Sequence, residues 1–381
     1  MRAVAVEKPG STKGFAAIFR AEYPLLFGLA SAAFFLWLGD VTLGGASNPL
    51  VLAPIFSWLF LAVLWSAISV VRHAECLAVK MGEPYGTIVL TLSAITIEVV
   101  MISAAVLHGA NNPTLARDMM FAVLMIALNG LIGFSLLLGG LRHNEQHYNL
   151  QGTSAYLNTI MALSVLALVF PDFTTSMSGP RLSSIQEEFL AVTSLVLYAV
   201  FLMLQTRQHR GYFIETGGGS SSGNEAHHLS MGSTGFHTAM LFLYLIAVII
   251  LAEKFAIPLD NLIERFGMPQ ALGGAVVASL VLAPEALAGI KAARQNQLQR
   301  SVNILHGSVL ASIGLTIPAV LTIGMVTGRP LTLGIEGGNL PLLLLTLASS
   351  IVTFGSGKTS VLQGCIHLLL FGVFLLLIFC P

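Results

Sequence analysis

Apolar runs long enough to cross a lipid bilayer recur along the whole chain. They fall at 24–40, 49–71, 86–108, 117–141, 153–171, 186–206, 236–257, 268–291, 301–326, 338–354 and 361–380. A membrane helix needs about 20 mostly apolar residues, because the hydrocarbon core is about 30 Å thick and a helix rises about 1.5 Å per residue. Sequence periodicity adds little, since buried and lipid-facing sides are both apolar, so the boundaries come from Gly, Pro and charged residues. Only 9% of the residues are charged, where a soluble protein carries about a quarter. The expected fold is therefore an all-α polytopic membrane protein of about 11 transmembrane helices. The net charge of +0 gives no basic surface for a nucleic acid. Cys76, Cys365 and Cys380 are scattered, with neither a disulfide framework nor metal-ligand spacing. The polar tail 1–23, with Arg2, Lys8, Lys13 and Arg20, is not a signal peptide, because the apolar run after it is too long and recurs ten times.

Lys and Arg orient the spans, since cytoplasmic loops collect them. With the N-terminus inside, 13 of the 18 Lys and Arg fall on the cytoplasmic side, leaving Arg117, Arg181, Lys254, Arg265 and Arg329 outside. Eleven crossings then put the C-terminus in the periplasm.

The stretch "QTRQHRGYFIETGGGSSSGNEAHHLSMGSTG" interrupts the pattern after the sixth span. Rich in Gly and Ser, it reads as a flexible linker, and its "EAHH" as solvated loop rather than a metal site. Setting the first helix (24–48) aside, the linker (207–235) separates five spans (49–206) from five (236–381). An odd number per half gives the halves opposite orientations, a 1 + 5 + 5 inverted repeat with a binding site at the midplane.

The charges inside the spans test that scheme. Glu98 stands in "TLSAITIEVVMISAAVL" and Glu285 in "GGAVVASLVLAPEALAGIKAA", each in the second helix of its five. No other Asp or Glu lies deep within a predicted span; Asp40, Asp118, Glu187, Glu188, Glu253 and Glu336 lie at or near ends. An ionised acid at the bilayer centre costs about 2.5–3.5 kcal/mol on insertion scales. Such a group is neutral when it holds a proton and anionic when a cation replaces the proton, which is the chemistry of a proton-coupled cation exchanger. The plainer reading, a protonated structural acid, suits one such residue better than a matched pair. Carboxylate oxygens suit Ca²⁺, Na⁺ or K⁺ as cargo.

Neighbouring residues can supply neutral oxygens: Ser93 and Thr96 near Glu98, Asn129 in the next helix, and Ser308 and Ser312 in the matching helix of the second half. Each alone is more often a helix–helix contact. Pro284, beside Glu285, withholds a backbone donor and frees a carbonyl in the preceding turn. "FGSGKTS" at 354–360 imitates a phosphate loop, but Val352 stands where that motif needs its first Gly and no strand precedes it. His108 and His367 read as packing or interfacial residues. No nucleophile–base pair suggests an enzyme, and no cofactor is expected.

"RHAECLAVKMGEPYGTIVLTLSAITIEVVMISA" (72–104) resembles the first repeat of bacterial calcium/sodium–proton antiporters of the cation/calcium exchanger superfamily. "LAPEALAGIKAARQNQLQRSVNILHGSVLASIGLTIP" (282–318) resembles the second repeat, and "FGSGKTSVLQG" (354–364) the segment before the last helix. The resemblance covers nearly the whole chain. It implies the 1 + 5 + 5 layout, alternating access in the inner membrane, exchange of cytoplasmic cation for external protons, and Glu98 and Glu285 as the ion-binding acids. Many calcium exchangers of the superfamily carry Asn three residues before each acid; here Ile95 and Leu282 stand there, and Ala311 replaces a common Gln. Fewer neutral ligands weaken the case for strict Ca²⁺ selectivity and leave Na⁺ or K⁺ open. The rival expectation is a cation channel or another uncoupled membrane protein.

Overall fold

A computed structural model of the chain describes residues 22–44, 49–82, 85–108, 113–213, 233–328 and 331–380. Most of the linker and of the N-terminal tail lies outside these residues. The described residues form eleven long helices in chain order: α1 (Tyr23–Gly44), α2 (Pro49–Met81), α3 (Tyr85–His108), α4 (Leu115–His143), α5 (Leu150–Leu168), α6 (Ser184–Gln208), α7 (Thr234–Arg265), α8 (Ala271–Arg294), α9 (Leu298–Thr327), α10 (Asn339–Thr353) and α11 (Val361–Phe379). Among the described residues, α2, α4, α6, α7, α8, α9 and α11 are long and apolar enough to span a bilayer, and α1, α3 and α10 carry shorter apolar stretches. Trp37, Val326 and Val352 are at least 80% exposed. That is the outward face of a protein whose surroundings are lipid.

The boundaries follow local chemistry. Asn149 caps α5, its side-chain oxygen accepting from the backbone N–H groups of Gln151 and Gly152. Pro171 then turns the chain into a short 3₁₀ segment, Phe170–Phe173, so α5 ends a little before its predicted boundary. Ser183 and Ser360 open α6 and α11 with capping boxes, in which Gln186 and Gln363 accept from the serine backbone N–H. The stretch that imitates a phosphate loop pairs Lys358 and Thr359 with His147 and Gln146 as a two-residue antiparallel ribbon. It then caps α11.

The largest departure from the predicted spans is α2. The apolar run ends at Val71, yet the helix continues to Met81 and carries Arg72, His73, Glu75 and Lys80 in regular helix. Three helices also contain one wide turn each: Met125–Leu131 in α4, Leu204–Gln208 in α6 and Ser312–Thr316 in α9 are π-helical. Pro318 has no N–H for the Gly314 carbonyl, so the α ladder is interrupted where the wide turn of α9 lies.

Packing follows a crossed pattern. α2 packs on α7, and α1 lies against both. α3 touches the wide turn of α9, while α8 packs along α4; α6 packs on α9, while α11 packs on α4. Close crossings are set by glycine. A Cβ on Gly274 of α8 would meet the backbone of Asp118 and Met119 of α4 at 2.9 Å, so no other residue lets these helices approach so nearly. At the far end, the buried segment 331–335 binds three connections: Thr332 N–H donates to the Pro113 carbonyl, Ile335 N–H to that of Leu168, and Arg117 to that of Gly334.

Candidate functional site

Glu98 and Glu285 line one cavity of about 280 Å³. The helices holding them, α3 and α8, are in contact, and both reach α9. Glu98 is buried, and each of its oxygens accepts one hydroxyl from the wide turn of α9: Ser312 Oγ donates to Oε2 at 2.5 Å and Thr316 Oγ1 donates to Oε1 at 2.9 Å. Ser312 and Thr316 stand four residues apart, so one turn presents both hydroxyls to one carboxyl group. The pair bridges the two halves of the chain.

Glu285 is different. Its Oε2 is buried without a hydrogen-bond partner. Pro284 beside it also lines the cavity, and α8 runs through that proline without ending, which leaves the Leu280 carbonyl without the usual helical donor. One acid is therefore held by hydroxyls, while the other presents a bare oxygen. A buried polar atom without a partner is costly, and a proton or a cation would satisfy it. An all-oxygen set of two carboxylates and hydroxyls suits hard cations such as Ca²⁺ or Na⁺ rather than soft metals. Among the described residues, no cluster of three or more His, Cys, Asp or Glu is placed to hold a metal ion.

Of the other residues singled out in the sequence, Ser308 and Ser312 line the cavity. Ser93 and Thr96 do not; their hydroxyls donate to the Val89 and Leu92 carbonyls of their own helix, at 2.7 Å each. Asn129 also lies off the cavity, which corrects the expectation that it contributes an oxygen there. Its amide donates to Thr346 Oγ1 at 2.8 Å, and its Oδ1 lies 3.1 Å from Nδ1 of His367. His367 Nε2 lies 3.0 Å from Thr353 Oγ1. His367 is thus no interfacial residue; it ties α11 to α4 and α10. The His108 side chain lies outside the described residues.

Two residues of the site, Thr316 bonded to Glu98 and Glu75 on the cavity wall, were missed from the sequence. Thr316 lies one turn beyond Ser312, and the same helical spacing would have found it. Glu75 lines the cavity on the extension of α2. It sits among Arg72, His73 and Lys80, so it read as part of a loop once the apolar run had ended. The cavity is also lined by Gln205, Arg300 and Asn303, near the end of α6 and the start of α9.

The sodium/calcium exchanger protein family matches residues 51–207 and 236–380. The protein y4hA of Sinorhizobium fredii is 46% identical over 308 residues, 81% of this chain and 83% of that one. The sodium-potassium/proton antiporter ChaA of Escherichia coli is 38% identical over 353 residues, 92% of this chain and 94% of that one. The fold is similar to the solved structure of native YfkE, with a TM-score of 0.71 at 16% identity, covering 94% of this chain and all of that one.

Proposed function

The chain belongs to the sodium/calcium exchanger family, and from that premise we propose that it is a proton-coupled cation antiporter of the inner membrane rather than an enzyme or a channel. Its cargo is Na⁺, K⁺ or Ca²⁺, moved out of the cytoplasm against protons by alternating access. Glu98 and Glu285 exchange proton for cation. The observation that carries this reading is the pairing of the two acids in one cavity, with Glu98 bound by hydroxyls of the other half and Glu285 Oε2 unpartnered. A charged pair left empty in a membrane interior is unfavourable, so each acid carries either a proton or a share of a cation. The absence of Asn before the acids, with Ile95 and Leu282 instead, favours monovalent cargo, in keeping with the name of the Escherichia coli relative.

In this reading residues 49–206 and 236–381 are inverted halves joined by a cytoplasmic linker, with the N-terminus inside and the C-terminus outside. The crossed packing supports it, since α3 on α9 and α6 on α9 have counterparts in α8 on α4 and α11 on α4. The cavity wall includes Gln205 at the end of α6 and Arg300 at the start of α9, residues that the Lys and Arg bias assigns to the cytoplasmic side.

The test is coupling in reconstituted vesicles. With an acid lumen and a pH-reporting dye, adding Na⁺, K⁺, Ca²⁺ or Mg²⁺ outside releases lumenal protons for each transported ion. Cation uptake with no proton release, under clamped voltage, would identify a channel instead.

A further inference from the structure

A second cluster of titratable side chains joins the later part of α2 to the start of α7, apart from the transport acids. His73 Nδ1 on α2 lies 2.9 Å from His237 Nδ1 on α7, and both rings are at least 95% buried. Glu22, just ahead of α1, caps the other side. Its Oε2 accepts from Arg72 at 2.8 Å and from Tyr244 at 2.9 Å, and lies 3.3 Å from His73 Nε2. Arg72 Nη2 is also 3.2 Å from His73 Nε2. Among the described residues, Glu22 ahead of α1, Arg72 on α2 and Tyr244 on α7 lie against the pair, and Glu75, Cys76 and Lys80 follow His73 along α2. Burial pushes the Glu22 carboxyl up, but the hydrogen bond from His73 and the Arg72 guanidinium outweigh it and hold the group below its ordinary value.

We propose that His73 and His237 form a cytoplasmic proton-binding site that clamps α2 to α7 and releases them when it is fully protonated. A contact between two Nδ1 atoms needs one N–H and one lone pair. With both rings neutral, His73 donates from Nδ1 to His237, and its Nε2 lone pair accepts from Arg72. A first proton adds to His73 Nε2. That nitrogen then donates to Glu22, and the contact between the rings survives. A second proton can only take the lone pair of His237 Nδ1. Two N–H groups then face each other on two charged rings, and the contact is lost. Val71 and Glu75, which flank His73 in sequence on α2, line the transport cavity, so parting the helices disturbs its wall. This functional consequence rests on the antiporter reading. An exchanger that admits protons acidifies its own cytoplasm, and this site stops the cycle when acidification is reached.

Spin labels at Val79 on α2 and Ala239 on α7, both exposed, would report the clamp in reconstituted protein whose Cys76, Cys365 and Cys380 are replaced. Distances are measured as pH is lowered through the span in which imidazoles change charge, about pH 8 to 5. The expected result is one short distance at the alkaline end and a longer population growing as pH falls. His237→Gln, which can still meet His73 but cannot ionise, keeps the short distance throughout. His73→Gln does the same, and serves if the first variant does not fold. A parent distance that ignores pH, or a lengthening that persists in both variants, would overturn the proposal. Exchange in the parent should fall with the lengthening, and in the variants it should lose that fall. Lengthening without any cation/proton exchange would leave the proton site standing and remove the antiporter reading.

Discussion

Thr316 donates a hydrogen bond of 2.9 Å to Glu98, and so ties the acid of one half of the chain to a helix of the other. Ser312 does the same for the second oxygen. The two hydroxyls fix the orientation of the carboxyl group.

Removing one of them should weaken ion binding without unfolding the protein. A hydrogen bond to a charged group contributes about 1.5–3 kcal/mol, so Thr316→Val should raise the cation concentration for half-maximal exchange roughly tenfold or more. The check is a cation titration of proton release in vesicles. An unchanged half-saturation would assign Thr316 to packing.

Asn129 should behave in the opposite way, because its amide is spent on Thr346 and His367 rather than on the cavity. Asn129→Ala leaves buried partners unsatisfied, at a cost of about 1–3 kcal/mol. The variant should unfold at lower temperature in detergent, while its half-saturation stays within about twofold of the parent, less than 0.5 kcal/mol of binding. A large loss of affinity at parental stability would return Asn129 to the binding site.

How much of this was legible in the sequence depends on the signal each residue carries. The helices are visible because hydrocarbon forces apolar length, and Glu98 and Glu285 are visible because a charge is conspicuous in such a run. The extension of α2 is not, because Arg72, His73 and Glu75 lie beyond the apolar stretch and helical continuation leaves no compositional mark there. Ser93, Thr96 and Asn129 were equally plausible as ligands, because sequence spacing does not say whether a hydroxyl turns to its own backbone, as Ser93 and Thr96 do. The wide turn at Ser312 depends on Pro318 and on the close approach of Tyr198 to Gly314, and the second of these is tertiary.

Glycine positions in α11 give a matched pair. A Cβ on Gly364 would lie 2.6 Å from the Leu137 backbone nitrogen, whereas one on Gly372 meets nothing within 4 Å. Forcing a methyl against backbone costs about 1–3 kcal/mol or more. Gly364→Ala should therefore lower the midpoint of thermal unfolding clearly, and Gly372→Ala should leave it unchanged or raise it slightly. Equal effects would contradict the crossing of α11 and α4.

Asp172 supplies a pH dependence outside the membrane segments. Both carboxyl oxygens are buried without partners, and burial, then the charge of Glu336, raises the group above its ordinary value despite Arg117. An acid that holds its proton more tightly folded than unfolded destabilises the fold when ionised. That penalty is present at neutral pH and disappears as pH falls below the ordinary carboxylate range. Asp172→Asn should raise the unfolding midpoint at pH 7.5 by about 2 °C, under 1 kcal/mol for a chain of this size, and converge with the parent near pH 4. A variant less stable than the parent at neutral pH would show that the ionised group has partners after all.

The central claim is that Glu98 and Glu285 carry the exchanged proton and cation together. Glu→Gln at either position keeps shape and hydrogen bonding but cannot ionise. Dissipation of a preset pH gradient on cation addition, in vesicles matched for folded protein, should be absent in Glu98→Gln and in Glu285→Gln, while both variants remain monodisperse and insert normally. Gradient dissipation at the parental rate in either variant would contradict the account.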